Sequence, residues 1–410
     1  MSDSGFRNYL VVTAGYWAFT VTDGAIRMLV VLYFHQLGYS PFQVALLFLF
    51  YEAFGLATNL VGGWLGARIG LNLTMHIGMA LQVAALLLLT VPDPWLSVAY
   101  VMAVQAISGI AKDLNKMSAK ASVKVLAGAA SESRLFRYVA VLTGSKNALK
   151  GAGFFIGAAL LDAVGFRMTL VVLAVALAMV LLLTVSILPR AVGVMSFKPK
   201  FTEVFSKRQE INWLSAARFF LFGARDVWFV VGLPVFLYET LGWSFTEVGG
   251  FFALWIIGYG TVQALAPQVL RQSRHGRGPG GGSARRWVAL LTLVPATMAV
   301  FLQSGEIGAA VVVGGLVVFA IVFAINSAVH SYLVLAYSDS ERVALNVGFY
   351  YMANAGGRLV GTLLSGAIYQ VYGLTGCLWW STAFLAAAWL ASQRLPEPHA
   401  LVSSVRPGGN

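Results

Sequence analysis

The chain has 410 residues, of which 59% are hydrophobic and 11% charged, whereas about 25% of an average soluble domain is charged. Its formal net charge is +12 and its one cysteine is Cys377, so an intrachain disulfide and a thiolate metal centre are excluded. This is the composition of a polytopic membrane protein, not of an ordinary soluble domain.

Met1 to Tyr9 is polar, and the apolar run after it is too long for a cleaved signal and has no small-residue cleavage site. The first helix is therefore expected to stay in the mature protein. Apolar runs near 9–34, 42–65, 73–91, 95–118, 137–160 and 167–188 each approach the roughly 20 residues that cross a bilayer. Six more lie near 211–238, 245–270, 287–303, 307–336, 343–369 and 374–395. Lipid leaves no partner for an unpaired backbone group, so each run must be a helix. The expected fold is all-α: 12 transmembrane helices in two six-helix, pseudo-symmetric bundles. Residues 1–188 form the first bundle, 189–210 a cytoplasmic linker, 211–396 the second bundle and 397–410 a cytoplasmic tail.

The first run holds Asp23 and Arg27, four residues apart and so suited to an intrahelical pair, an alternative that stands beside direct substrate contact. The second holds Glu52 and ends in Gly63-Trp64-Leu65-Gly66-Ala67-Arg68-Ile69-Gly70-Leu71-Asn72. In the fourth, Lys112, Lys116, Lys120 and Lys124 recur every four residues and share one slowly rotating face. Lys112 and Lys116 are candidates to line a cavity; Lys120 and Lys124 fit the cytoplasmic end of the helix. Asp113 and Asn115 lie on other faces and are expected to tie this helix to its neighbours. The fifth run carries Lys146 and Lys150 one turn apart, with glycines at 151, 153 and 157 that suit close helix packing. In the seventh, Arg218 precedes the adjacent Arg225 and Asp226, whose side chains project differently, so Arg225 is expected to be free. His330 lies in the tenth run and Arg358 in the eleventh.

Arg27, Lys112, Lys146, Lys150, Arg225 and Arg358 thus sit within spans. Facing lipid, each would cost about 2.5–3.5 kcal/mol, and the six together on the order of 15–20 kcal/mol. They must face a protein interior or a water-filled cavity. Only Asp23, Glu52, Asp113 and Asp226 lie at comparable depths, which leaves that interior positive and suited to an anion. Coupling or gating would fall to a titratable group among Asp23, Glu52, Asp113, Asp226 and His330.

Leu37-Gly38-Tyr39-Ser40, with Val44 and Phe48, recurs 204 residues later as Leu241-Gly242-Trp243-Ser244, with Val248 and Phe252. At an offset of 208, Arg134 matches Arg342, Val139 Val347, Lys150 Arg358, Gly153 Gly361 and Gly165 Gly373. Two six-helix parallel repeats resemble the organisation of the major facilitator superfamily, and such a repeat would set Lys150 and Arg358 on opposite walls of one cavity. The segment 63–72 resembles that superfamily's loop between helices 2 and 3, with Ala67 where the pattern has Asp.

Arg134, Arg137, Arg190, Lys198, Lys200, Arg285 and Arg286 fall on one side of the membrane; the other side's loops carry Asp93, Asp162, Glu239, Glu247 and Glu306, with Arg167 the one basic residue. By the positive-inside rule both termini are expected in the cytoplasm, and the expected location is the cell's inner membrane. The same distribution argues against nucleic acid as a partner. Loop 271–286 is glycine- and arginine-rich but lacks the Lys-Ser or Lys-Thr of a phosphate-binding loop, and reads as a flexible basic loop. The five histidines lack metal-ligand spacing, and no enzymatic motif occurs, so no catalytic residue, metal or cofactor is expected.

At Tyr16-Trp17-Ala18-Phe19-Thr20-Val21-Thr22-Asp23-Gly24-Ala25-Ile26-Arg27, Gly109 to Lys120 and Thr143 to Phe154, the chain resembles the ArsJ-type organoarsenical efflux permeases. The resemblance implies export of 1-arseno-3-phosphoglycerate, arsenate resistance, and glyceraldehyde-3-phosphate dehydrogenase as a metabolic partner without physical contact. The residues agree in sign: Arg and Lys suit pentavalent oxyanions, whereas trivalent arsenic would demand thiolates. The expected working unit is a monomer in the lipid bilayer acting on a small anion. An organophosphate or other organic-anion antiporter, and a non-transporting protein that binds lipid headgroups, remain alternatives.

Overall fold

A computed structural model of the chain describes residues 3–38, 47–127, 131–189, 192, 194, 206–230, 232–243, 245–270, 278–304, 309–339 and 341–398. Tyr39, Ser40, Val44, Ser244, loop residues 271–277, most of the linker and the tail beyond 398 lie outside them. Among the described residues the fold is helical, without a strand: α1 (Asp3–Gln36), α2 (Leu49–Ile69), α3 (Leu71–Leu88), α4 (Val98–Ala127), α5 (Glu132–Ile187), α6 (Gln209–Phe229), α7 (Gly232–Glu239), α8 (Phe245–Val269), α9 (Gly281–Gln303), α10 (Ala309–Ala336) and α11 (Val343–Ser392). Each of the twelve expected spans has its helix. α5 joins the fifth and sixth across a bend at Gly165, α11 joins the eleventh and twelfth across Gly373, and the seventh is divided into α6 and α7.

The repeat seen in the sequence has a backbone cause. Gly38 (φ 86°), Gly165 (φ 74°), Gly242 (φ 69°) and Gly373 (φ 60°) all take the left-handed conformation that other residues avoid. Nothing lies within 4 Å of a Cβ at any of the four, so conformation rather than space demands glycine there. These are two of the glycine pairs that the repeat matched.

By internal contacts the chain forms two units. Unit 1 comprises Met1–Ala130, Ser145–Phe205 and Asp339–Met352; unit 2 comprises Ser131–Gly144, Ser206–Ser338 and Ala353–Asn410. In unit 1, α4 packs on α1, α2 and α3, and Phe34, Leu86, Val101 and Leu170 help fill the core. At one end the Tyr33 ring stacks on Phe166 at 4.0 Å, and Tyr33 donates to Asp93 (2.6 Å). Arg167 also donates to Asp93 (2.8 Å), so the basic residue that departs from the loop charge pattern is neutralised by a neighbour. In unit 2, Trp228 meets Phe319 (5.0 Å) and Trp255 (6.1 Å) edge to face. Large apolar side chains also point outward, Leu182 at 72% and Leu254 at 73% exposure, as lipid-facing surfaces require. Among the described residues six helices or arms are long and apolar enough to cross a membrane, and α1, α2, α4 and α6 are not among them. Those four carry most of the interior charges.

Glycines set the crossings that bring charges together. A Cβ on Gly24 of α1 would lie 2.6 Å from Lys150 O and 3.2 Å from Gly153 Cα of α5. A Cβ on Gly361 of α11 would lie 2.6 Å from Gly223 O and 3.0 Å from Asp226 Cβ of α6. Gly361→Ala is therefore expected to destabilise by about 1–3 kcal/mol through overpacking, read as a lower melting temperature in detergent. Gly366→Ala on the same helix, where nothing lies within 4 Å, should melt at or above the wild-type temperature.

Candidate functional site

In unit 1 the interior charges of α1, α2, α4 and α5 form one continuous group. Asp23, 3% exposed, accepts from Lys150 Nζ (2.9 Å) and from the Tyr51 hydroxyl. Arg27 donates to Glu52 (3.0 Å) and lies over the rings of Tyr51 (4.7 Å) and Phe48 (5.2 Å). Lys112 stands 3.5 Å from Glu52 and 3.6 Å from Asp113, with its ammonium 3.9 Å from the Tyr51 ring centre. Lys116 donates to Asp113 (2.5 Å), and both Lys116 (4.8 Å) and Lys120 (5.1 Å) lie over Tyr351, which the first turns of α11 bring into this unit. Tyr51 and Tyr351 thus act as aromatic faces for ammonium groups.

Several expectations are corrected. Asp23 and Arg27 do not pair within their helix. The Gly24–Gly153 approach delivers Lys150 to the short Asp23 side chain, and the longer Arg27 reaches across to Glu52. Asp113 holds Lys112 and Lys116 of its own helix and lies against Gly55 of α2, while Asn115 donates outward, to Met75 O of α3 (3.4 Å). Lys120 is not a solvated helix end: it is 6% exposed. Lys146 donates to Asn147 (3.3 Å), beside the Trp17–Ser145 bond (2.8 Å).

Unit 2 carries a smaller group with the same plan. Asp226, 1% exposed, accepts from Arg225 Nε and Nη2 at Oδ1 (2.6 and 2.5 Å) and from Arg358 Nε at Oδ2 (3.1 Å). Arg225 is therefore not free: its long side chain curls back onto the adjacent carboxylate. Arg218, 3% exposed, bonds Asn354 (2.9 Å) and Ser327 Oγ (3.1 Å) and stacks on Phe222 (3.8 Å). His330, 1% exposed on α10, has no hydrogen-bond partner at either nitrogen among the described residues, and Arg218 acts on it electrostatically. No cluster of His, Cys, Asp and Glu fit to hold a metal occurs among the described residues.

Lys150 and Arg358 are thus each bound to an aspartate of their own unit. The aspartates are repeat mates as well, since 226 − 23 = 203, one less than the 204 that relates Gly38 to Gly242. The α6–α7 interruption falls between Asp226 and Gly242, where a register step is absorbed. A search of the sequence one residue out of step would have found the match. Tyr51 and Asn354 gave no signal of their own. In each unit the cations outnumber the acids: Arg27, Lys112, Lys116, Lys120 and Lys150 against Asp23, Glu52 and Asp113; Arg218, Arg225 and Arg358 against Asp226. In general a guanidinium meets an oxyanion as a bidentate donor and an ammonium meets it as a point charge.

The sequence profile of the family described as Major Facilitator Superfamily matches residues 12–334. No curated protein sequence matches the chain. Among solved structures, the human organic anion transporter MFSD10 (TETRAN) superposes with a TM-score of 0.74 at 17% identity, over 95% of this chain and 99% of its own. A bacterial homologue of the iron transporter ferroportin, in an outward-facing state with soaked iron, gives 0.72 at 16% identity, over 97% and 99%. The proton:xylose symporter XylE bound to 6-bromo-6-deoxy-D-glucose gives 0.70 at 14% identity, over 98% and 99%.

Removing one partner of a buried ion pair strands the other, a loss of about 3–5 kcal/mol. Asp23→Asn and Lys150→Met should therefore each lower thermal stability in detergent, and the double variant should recover part of the loss. Additive losses in that cycle would show that the 2.9 Å contact contributes nothing.

Proposed function

The chain belongs to the Major Facilitator Superfamily, and we propose that it is a secondary active exporter of an organic arsenate or phosphate anion, 1-arseno-3-phosphoglycerate, acting by alternating access and conferring arsenate resistance. One observation carries the anion: in both units the charged side chains within the spans are mostly basic and lie in protein-lined groups. The fold does not choose a cargo, since the solved neighbours are named for an organic anion, iron and xylose. The arsenical itself rests on the resemblance at 16–27, 109–120 and 143–154.

In this reading Lys150 and Arg358 are the leading substrate cations, followed by Lys112, Lys146, Arg225, Lys116 and Arg27. Asp23, Glu52, Asp113, Asp226 and His330 serve coupling or gating. The protein works in the inner membrane with both termini cytoplasmic, and the dehydrogenase that makes the arsenylated product is its metabolic partner. Alternation of access means that substrate must take the cations from carboxylates that already hold them, so binding is an exchange of counter-ions.

Everted membrane vesicles given arsenate, glyceraldehyde 3-phosphate, the dehydrogenase and its cofactor should accumulate arsenic. Accumulation from arsenate alone overturns the organoarsenical reading, and equal uptake of phosphorylated product when phosphate replaces arsenate points to an organophosphate carrier. Lys150→Ala and Arg358→Ala should each lower uptake roughly 10- to 100-fold at normal membrane expression, as loss of a charge-assisted bond of about 1.5–3 kcal/mol implies.

A further inference from the structure

α9 begins on three glycines. Gly280 stands at its N-cap position with an extended backbone (φ −109°, ψ −169°), the conformation from which Ser, Thr, Asp or Asn ordinarily turns a side-chain oxygen onto the first turn. Glycine has no such oxygen. Ser283 and Ala284 donate to Gly280 O (3.0 and 3.3 Å), which leaves the N–H groups of Gly281 and Gly282 to find partners outside the helix. Both find them near the far end of the sequence: Gly281 N donates to Pro396 O (3.2 Å) and Gly282 N to Glu397 Oε1 (2.8 Å).

The residues after α11 thus lie as a strap across one end of unit 2. Arg285 of α9 donates to Leu395 O (3.2 Å), the hydroxyl of Tyr337, just past α10, donates to Pro396 O (2.6 Å), and Arg394 lies 5.8 Å from the Trp213 ring of α6. Leu395 is buried. The glycines make room for this strap: a Cβ on Gly280 would collide with Glu397 Oε2, and one on Gly281 with Leu395 O. Gly280 has a negative φ that any residue adopts, so the strap and not the backbone demands glycine there.

We propose that Glu397 is the cap of α9, supplied across the fold instead of by the helix, and that the strap 394–397 makes the order of α9's first turns, with their basic pair Arg285 and Arg286, depend on the C-terminal end of the chain. A carboxylate suits the place, because it meets both an N–H group and the positive end of the helix dipole. The strap also anchors the end of α10, the helix whose Ser327 holds Arg218. It lies within the segment expected to close the second bundle and open the tail, and that stretch is here a working part of the unit. The assignment does not rest on the anion-transport reading.

The test is hydrogen–deuterium exchange, read by mass spectrometry on the full-length protein in detergent. Glu397→Ala should speed exchange over 281–287 by roughly 2- to 30-fold, the range that loss of an N-cap implies, and leave 309–315, at the opposite end of α10, at the wild-type rate. Gly280→Asp should also speed exchange in the wild-type background, because the added side chain collides with Glu397 and repeats its charge. In the Glu397→Ala background the same substitution has room, and its carboxylate caps the turn from the ordinary position, so exchange should slow again to within about twofold of wild type. A local disturbance of the first turn would not reverse sign in this way. Unchanged exchange in Glu397→Ala, acceleration that is equal over 309–315, or failure of Gly280→Asp to slow exchange in the Glu397→Ala background each overturns the assignment. Should Glu397→Ala fail to fold, Glu397→Gln decides, since it keeps an acceptor oxygen and loses the charge: acceleration confined to 281–287 supports the assignment, and an unchanged or uniform rate overturns it. The anion reading stands apart from every one of these outcomes.

Discussion

The bond from Lys150 to Asp23, repeated between Arg358 and Asp226, exists because two pairs of helices approach until backbone meets backbone. Asp is too short to reach far, and lysine reaching into a bilayer without a partner would have to snorkel or face water. Gly24 against Gly153, and Gly223 against Gly361, remove the side chains that would hold the helices apart. The charged interior and the glycine crossings are therefore one feature. A side chain at any of the four would press on the helices that carry the charges.

Most of the architecture was legible in the residues. Run length and the ban on unpaired backbone in lipid specify twelve helices, and the matched glycines at 38 and 242 and at 165 and 373 mark turns whose backbone demands them. Partner choice inside the membrane was harder. The four-residue spacing of Asp23 and Arg27 satisfies a local rule, but that rule describes isolated helices in water, where no better-placed cation competes. Lys150 competes only once the helices have packed. The adjacency of Arg225 and Asp226 misled for a different reason: side-chain direction at Cβ does not bind a residue as long as arginine, which returns to its neighbour with two nitrogens. Lys120 shows the same limit, since its ring partner Tyr351 lies far along the chain and comes near only in the folded unit.

The segment that most resembles a superfamily signature lacks that signature's acid. At the end of α2 the position that carries Asp in the pattern is Ala67, fully buried, and Arg68 rests 5.1 Å from the Trp64 ring instead of on an acid. Gly70 (φ 104°) keeps the turn into α3, and Gly63 keeps its close approach to Gly348. Backbone geometry persists where the acid of the pattern does not.

The counter-ions of the empty carrier also decide how voltage acts on it. Every interior acid answers at least one cation, and each unit keeps basic residues in excess, so the empty interior carries net positive charge. Each elementary charge moved through the membrane potential is worth about 2.3 kcal/mol per 100 mV. In the proposed export reading a bound anion offsets that charge, so a potential negative inside weighs more on the empty carrier, which it draws back towards the cytoplasm, than on the loaded one.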